Sequence, residues 1–455
     1  MTWNVINQIN NMFKMGNTVE FDDDKCIKCT KCVMRCKNSS VGYLEIKTDE
    51  NGKKHLSAVD GKECIHCGQC TLVCPVNAIR SQPALDEVRQ VLKDKSKILI
   101  VQAAPSIRAS IGEGWGMEHT TDVEKKMNTA FRMLGFNKIF DVNFGADITT
   151  MVEAEELVGR LKDPKAKLPM FTSCCHAWVE YAMNYQPQLR EHLTTARSPH
   201  LHSGAAYKTW WAQKEGIDPK DIIVVSVMPC TSKKEEILEK SSKINGMKIV
   251  DYNLTVREII QLIKENNIDF PNLKGSESDI CGDYSGAGAI YGASGGVMES
   301  ALRTAYKMMT GEDLKDFNLR EVRTDTTGFK TAEIDLKGRK IKVAVLSTPQ
   351  NVTKLLEELK VNPNAYQYVE VMSCAGGCIG GGGMPLLPNK PADQIALIEQ
   401  RRKVLYEIDQ NKKNERTAHS NPVVKEYMEW VKAQNNSELA HEVYHTNFDC
   451  VVKKC

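Results

Sequence analysis

Two textures divide the chain. From about residue 97 onward, short apolar runs recur: KILIVQAAP, KIFDVNF, LPMFTS, DIIVVSVMP, KIKVAVLST and YQYVEVMS each predict a buried strand. Helical periodicity fills several of the gaps, and strands alternating with helices predict parallel α/β units. Residues 26–80 carry few periodic segments and many cysteines, so something other than an apolar core organises them. Residues 1–20 read as a short amphipathic helical lead-in, ahead of the acidic run Asp22, Asp23, Asp24. From residue 393, ALIEQRRKVLYEIDQ and NPVVKEYMEWVKAQ are polar and helical, a cap and not an independent domain. The pattern predicts units at 1–90, 91–390 and 391–455.

Composition narrows this only slightly. The 455 residues suit about three units of ~150 residues, and 42% hydrophobic with 26% charged content suits a large buried core. A net charge of +2 gives no bulk case for nucleic acid or an anionic membrane. No apolar run approaches the ~20 residues of a membrane span. The opening MTWNVINQINNMFKMGN lacks an export signal's apolar stretch and a twin-arginine motif, which predicts a cytoplasmic protein.

Sixteen cysteines change the picture. In a long chain with no export signal they do not suggest disulfides. Cys26, Cys29, Cys32 and Cys36 repeat as Cys64, Cys67, Cys70 and Cys74. C-x2-C-x2-C-x3-C, twice, is the bacterial two-cluster ferredoxin spacing: three thiolates of a run converge on one cube and the fourth crosses to the other. The spacing assigns Cys26, Cys29, Cys32 and Cys74 to one [4Fe–4S] cluster, and Cys64, Cys67, Cys70 and Cys36 to the second. Pro75 follows the second run as the pattern expects, whereas Lys37 stands after the first. Zinc also favours paired C-x2-C but rarely uses four closely spaced cysteines in one run.

Five further cysteines follow predicted strands: Cys174 and Cys175 after LPMFTS, Cys230 after DIIVVSVMP, Cys374 and Cys378 after YQYVEVMS. Sites in open α/β sheets form outside the carboxyl ends of strands, so these junctions point to one shared soft-metal site. The run Gly380–Gly383 would let backbone approach a bulky cofactor.

FTSCC-x-x-W, MPCTSKK-x-E and E-x-M-x-C-x-GGC-x-x-GGG-x-P resemble the three signature motifs of [FeFe]-hydrogenases. APSIR, SGAGAIYGASGGVMESALR and a terminal HE-x-x-H (His441–His445) fit the same family, so the resemblance spans nearly the whole chain. It implies an α+β ferredoxin-like N-terminal domain, then an α/β domain of two parallel or mixed-sheet lobes holding the H-cluster, closed by a helical C-terminal cap. HE-x-x-H is there a structural feature of the last helix.

By resemblance, Cys175, Cys230, Cys374 and Cys378 hold a [4Fe–4S] subcluster, with Cys378 bridging to a di-iron unit. That unit carries CO, cyanide and a bridging amine-dithiolate, and dihydrogen is split heterolytically there. Lys233 matches the lysine that pairs with one cyanide, whereas Lys234 suits a solvated charge run. Ala104, Pro105 and Ser106 match the loop lining the other cyanide. Met228 and Met372 match apolar neighbours of the di-iron unit, and Pro229 belongs to the same lining. TTMVEAEELVGR puts Glu153, Glu156 and Arg160 on one helix face. The implied proton relay runs Cys174, Glu153, Thr194, Glu156, then the surface at Arg160, with Thr194 where a Ser is usual.

The chain departs from the family at His176 and Ala177, which replace Pro-Gly, at His200, which replaces a Gln near the distal iron's ligands, and at Tyr291, which replaces a Phe. Donors beside a cluster tune its potential, so these departures predict an altered catalytic bias, toward hydrogen uptake, or an altered inhibitor sensitivity. The expected function is reversible interconversion of H2 with protons and electrons. The expected partners are a ferredoxin or flavodoxin and the maturation enzymes, for a monomer of an anaerobe. Lys25, Lys28, Lys31 and Lys37 near the first cluster would suit an acidic carrier. The alternatives are a hydrogen sensor and a non-catalytic hydrogenase-like iron–sulfur protein. Cys281, Cys450 and Cys455 receive no function.

Overall fold

A computed structural model describes residues 18–323, 328–413 and 415–448. Most of the expected lead-in helix, and Cys450 and Cys455, lie outside these residues.

In the ferredoxin-like part, β1 (Val19–Phe21) pairs antiparallel with β4 (Ile79–Ser81), and β2 (Leu44–Thr48) with β3 (Lys54–Ala58). Helix α1 (Lys31–Ser39) packs beside them. A small apolar cluster of Val19, Tyr43, Leu44, Leu56 and Ile79 forms its core, with Cys32, Cys64, Cys70 and Cys74 packed against it.

The remaining strands are β5 (Ile98–Ala103), β6 (Lys138–Asp141), β7 (Met170–Phe171), β8 (Ile222–Met228), β9 (Lys243–Ile244), β10 (Met247–Lys248), β11 (Tyr252–Thr255), β12 (Phe329–Leu336), β13 (Arg339–Ser347) and β14 (Tyr368–Met372). β9 and β10 pair as a separate antiparallel hairpin, and the other eight build two four-stranded sheets. One is wholly parallel, in the order β11-β8-β5-β6. The other runs β12-β13-β14-β7, with only β12 antiparallel. β5, β8 and β14 are buried almost throughout, which is why they read as unbroken apolar runs.

KIFDVNF does not stay extended. Asp141 ends β6, and its carboxylate accepts the N–H of Asn143, capping α2 (Val142–Lys162). The chain continues through α3 (His176–Tyr185), α4 (Pro199–Ala206) and α5 (Gly296–Thr310). Helix α2 is buried on nearly every side. Gly145 sits where a Cβ would come within 2.0 Å of the Pro199 carbonyl oxygen, so glycine sets how closely α2 and α4 cross. This depth places Glu153 in the interior; the ordinary expectation for a Glu/Arg face is a solvated surface.

Helices α6 (Pro391–Asn411), α7 (Pro422–Ala433) and α8 (Ser437–Tyr444) follow. They are fastened by buried charge. Arg303 on α5 donates to Asp409 on α6 at 2.8 Å and to Glu299 at 2.7 Å, and all three are fully buried. Asn421, the cap of α7, donates to Asp147 on α2 at 2.9 Å. Among the described residues no helix is long and apolar enough to cross a membrane.

Removing one partner of a buried ion pair strands the others, at a cost of about 3–5 kcal/mol. Asp409→Ala takes away one of the two carboxylates that Arg303 bonds and the carboxylate that Arg416 bonds, so its anaerobic thermal unfolding midpoint should fall well below that of the parent chain. An unchanged midpoint would show that the clamp contributes nothing.

Candidate metal centre

The eight N-terminal cysteines gather around two cavities. One is lined by Cys26, Cys29, Cys32 and Cys74, the other by Cys36, Cys64, Cys67 and Cys70. In each, three thiols of one run meet the fourth of the other, the crossed arrangement that the spacing predicts. Among the described residues no three His, Cys, Asp or Glu side chains converge closely enough for a single ion. Each cavity is lined by four thiols and mostly apolar neighbours, a soft donor set that suits an iron–sulfur cube. Burial pushes the thiols of Cys32 and Cys67 up to about 11, so they stay protonated until a cluster displaces the proton. Cys29 is exposed, and Cys36 and Cys67 are buried, so the two cavities lie at different depths.

A third group forms where the two sheets present their strand ends. Cys175 caps α3 after β7, Cys230 follows β8, and Cys374 and Cys378 follow β14. Burial drives the Cys230 thiol up to about 12, with neighbouring Cys175 adding to it; Cys374 is pushed well up by burial and by Cys67, Cys175, Cys230 and Cys378. Cys174, Tyr291, Met372, Val297 and Ala146 form an apolar wall against which Cys175 and Cys378 pack. Met228, at the end of β8, is also buried.

The polar lining is short of partners. Ser106 follows Ala104 and Pro105 at the end of β5, and its Oγ is buried without a hydrogen bond. Ser232 Oγ, on the helical turn after Cys230, is in the same condition. Buried orphan hydroxyls, soft thiols and apolar walls fit an iron–sulfur unit with acceptor ligands.

Lys233 is buried. Its Nζ donates to the Cys174 carbonyl at 3.0 Å and to Glu236 at 2.6 Å. Burial opposes its charge, and Glu236 beside it holds it protonated. Lys234 is a correction: it is not solvated but buried, bonded to Glu258 at 2.8 Å and to the Gln82 carbonyl at 2.7 Å. The glycine run also does something other than expected. A Cβ at Gly381 would come within 2.3 Å of the Pro229 carbonyl oxygen, and one at Gly382 within 2.2 Å of the Cys67 carbonyl oxygen. These glycines seat the Cys378 loop on the backbones of the other two cysteine loops. Cys281 is fully buried core.

On the proton side, the Thr194 hydroxyl donates to Glu156 at 2.7 Å, and Arg160 grips the same carboxylate at 2.6 Å. Glu153 is fully buried. Burial lifts its pKa from 4.5 to about 8, against the hydrogen bond from the Tyr368 hydroxyl at 2.5 Å. Its second oxygen, Oε2, has no partner. Neither Cys174 nor Thr194 is hydrogen-bonded to Glu153, so of the expected relay only the stretch from Thr194 through Glu156 to Arg160 is a continuous hydrogen-bonded chain. Burial, with Glu153 adding to it, also raises the Cys174 thiol well above 9.0.

Several groups here carry no sequence signal. Tyr368 meets Glu153 only through the packing of β14 on α2. Glu236 links Lys233 to His200, whose Nε2 faces that carboxylate while Nδ1 lies 3.4 Å from Ser226 Oγ. Both ring nitrogens of His200 thus face protein partners, so it reaches the pocket through Glu236 and not directly. Tyr291 places its hydroxyl 2.8 Å from Thr150 Oγ1, away from a purely apolar role. His176 lies 3.5 Å from Glu239 and 3.9 Å from Glu180, and Glu180 also holds His66 at 2.6 Å. In HE-x-x-H, His445 bonds Thr195 at 2.9 Å, a structural contact.

Two thiol-lined cavities leading to a third, buried thiol group define an iron–sulfur electron-transfer protein with an α/β site domain. The family described as iron only hydrogenase large subunit, C-terminal domain, matches residues 97–382. A 4Fe–4S dicluster domain matches 19–81, and the iron hydrogenase small subunit family matches 395–450. The chain is 40% identical over 439 residues to iron hydrogenase 1 of Clostridium pasteurianum, covering 95% of this chain and 76% of that one. It is 27% identical to cytosolic iron-sulfur assembly component 3 of Pongo abelii, covering 94% of each. An [FeFe]-hydrogenase HydA1 structure from Chlamydomonas reinhardtii superposes with a TM-score of 0.69 at 31% identity, covering 80% of this chain and 98% of that one. The chain belongs to the [FeFe]-hydrogenase, or iron-only hydrogenase, family, and its cofactors are iron–sulfur clusters.

Folding takes up a proton at Glu153 wherever pH lies between the unfolded value of 4.5 and the folded value of about 8. The stability this group supplies is therefore greatest below pH 4.5 and declines as pH rises through that window. A carboxyl infrared band assigned by Glu153→Gln should titrate near pH 8; a midpoint near 4.5 would contradict the buried, neutral carboxyl.

Proposed function

We propose that this chain is a catalytic [FeFe]-hydrogenase, interconverting H2 with two protons and two electrons. The observation that carries this reading is the pairing of a buried thiol, Cys174, with a buried, proton-holding Glu153 beside the third cysteine group. Electron storage alone needs no such proton carriers.

On this reading Cys175, Cys230, Cys374 and Cys378 hold the H-cluster, which supplies a metal for the hydride and a basic amine for the proton. The protein's own residues do the rest. Lys233, kept charged by Glu236, faces an anionic ligand of the cluster; Ser106 offers a second donor; Met228, Met372 and Tyr291 exclude water. Cys174 takes or gives the proton at its Sγ, Glu153 holds it at a carboxyl oxygen, and Thr194, Glu156 and Arg160 carry it outward. The steps on either side of Glu153, to Cys174 and to Thr194, need a rotation of Glu153 or an intervening water, and Oε2 is the atom free to make a contact. His200 acts through Glu236 on the charge of Lys233, the route by which it would alter the catalytic bias.

Electrons enter or leave through the two N-terminal clusters. The cavity with the exposed Cys29 is the outer terminal, suited to a soluble ferredoxin or flavodoxin. Lys25 and Lys28 are ion-paired with Asp22 and Asp23, so Lys31 and Lys37 carry more of any attraction to an acidic carrier. The likeness to cytosolic iron-sulfur assembly component 3 supports a cytoplasmic location.

A second reading, a non-catalytic iron–sulfur protein, is favoured by the likeness to cytosolic iron-sulfur assembly component 3 along nearly the whole chain. Cys174→Ala separates the two. As general acid–base steps contribute ~10²–10⁴-fold, hydrogen evolution and uptake should both fall at least a hundredfold while iron content stays that of the parent. Equal rates in parent and variant would remove Cys174 from the path. A fully loaded parent with no turnover would favour the second reading.

A further inference from the structure

One residue touches the sulfur ligands of two proposed centres. Gln69 lies between Cys67 and Cys70 and is 1% exposed. Its backbone N–H donates to the Cys67 sulfur. Its side-chain Nε2 donates to Cys374 Sγ at 3.2 Å and to the Gly380 carbonyl at 2.8 Å. The same residue therefore bonds a ligand of the inner N-terminal cluster and a ligand of the buried third group.

The direction of that amide is set and not arbitrary. Arg35 donates to Gln69 Oε1 through Nε at 3.0 Å and Nη2 at 2.6 Å. Arg35 has only donors, so the amide oxygen must face it and the NH2 must face sulfur. A flipped amide would set oxygen against both the sulfur and the Gly380 carbonyl. Arg35 is itself largely buried, and its charge is drawn to Cys374 and Cys67 together. A cation and a fixed N–H thus stand between the two centres, at the crossing an electron must make.

We propose that Gln69, oriented by Arg35, is a positioning residue for electron transfer: its N–H···S bond raises the reduction potential of the [4Fe–4S] subcluster held by Cys175, Cys230, Cys374 and Cys378. The inference rests on the reading of those cysteines as cluster ligands. In the step concerned, one electron leaves the cluster of Cys36, Cys64, Cys67 and Cys70, which is oxidised, and enters the subcluster, which is reduced. The ferredoxin-type carrier replaces the electron, and no covalent bond forms or breaks. Reduction puts negative charge on the sulfurs, and a donor fixed against one of them stabilises the reduced state. In uptake the bond holds the electron closer to the catalytic pocket; in evolution it favours delivery to it.

The test is an anaerobic redox titration, followed by electron paramagnetic resonance, of the full chain prepared without maturation enzymes, so that only [4Fe–4S] clusters are loaded. Gln69→Met keeps the length of the side chain and removes the N–H. It should lower the subcluster's midpoint by about a tenfold change in its reduction equilibrium, ~59 mV for one electron. The cluster of Cys26, Cys29, Cys32 and Cys74 should keep its midpoint, which reports an intact fold. Arg35→Met, which leaves the amide free to turn and removes the neighbouring cation, should shift the subcluster in the same direction. A Gln69→Met chain with three intact clusters and an unmoved subcluster midpoint would overturn the inference alone. A parent chain that binds only two clusters would overturn the reading of the site, and the inference with it.

Discussion

Everything in this fold turns on keeping thiols where they do not ionise unaided. Four cysteines are delivered to one place by the carboxyl ends of two sheets, and burial there holds Cys230 up to about 12 and pushes Cys374 and Cys378 well above the usual thiol range. Desolvation of this size makes thiolates costly unless metal replaces the proton. Site and cofactor are therefore coupled: the pocket is stable as thiols or as a loaded cluster, and poorly suited to anything between. The same burial explains the packing nearby. Bare backbone at Gly381 and Gly382 lets the Cys378 loop sit on the Pro229 and Cys67 backbones, which brings the ferredoxin-like part against the third cysteine group.

On the hydrogenase reading, two kinds of traffic are kept apart around that thiol group. Electrons would have the N-terminal side, from exposed Cys29 inward to the loop of Cys64, Cys67 and Cys70, with Gln69 and Arg35 at the crossing. Protons would have the α2 side, where Glu153, Glu156 and Arg160 occupy one helix face and the Tyr368 hydroxyl donates to the buried Glu153. Lys233, Glu236 and His200 form a third wall, a buried charge set whose internal pairing leaves the lysine protonated. Such a set is expensive to bury and is retained where a fixed charge is needed at a given point.

Much of this was legible in the amino-acid order, and the reason is covalent proximity. Cluster ligands closely spaced in one run, and cysteines directly after apolar runs, are one-dimensional patterns, so the crossed cavities and the strand-end thiol group could be anticipated. Glu153, Glu156 and Arg160 were legible as one face, but their depth was not, because α2 is buried by elements far away in sequence. Contacts made only by the tertiary fold left no trace: Tyr368 with Glu153, His200 with Glu236, Gln69 with Cys374. The glycine run misled for the same reason. Its need for bare backbone was visible, but what approaches it is protein. Lys234 read as a surface charge because nothing local announces Glu258 as its partner.

On the proposed reading, the third cysteine group holds a di-iron hydrogenase cluster. Infrared spectroscopy of the anaerobically matured protein under hydrogen tests it most directly, in the region where metal-bound CO and cyanide absorb. The account predicts bands there that shift with redox state. A blank spectrum from protein taken through working maturation machinery, with its iron–sulfur clusters loaded, would contradict it and leave electron transfer by the N-terminal clusters as the chain's chemistry.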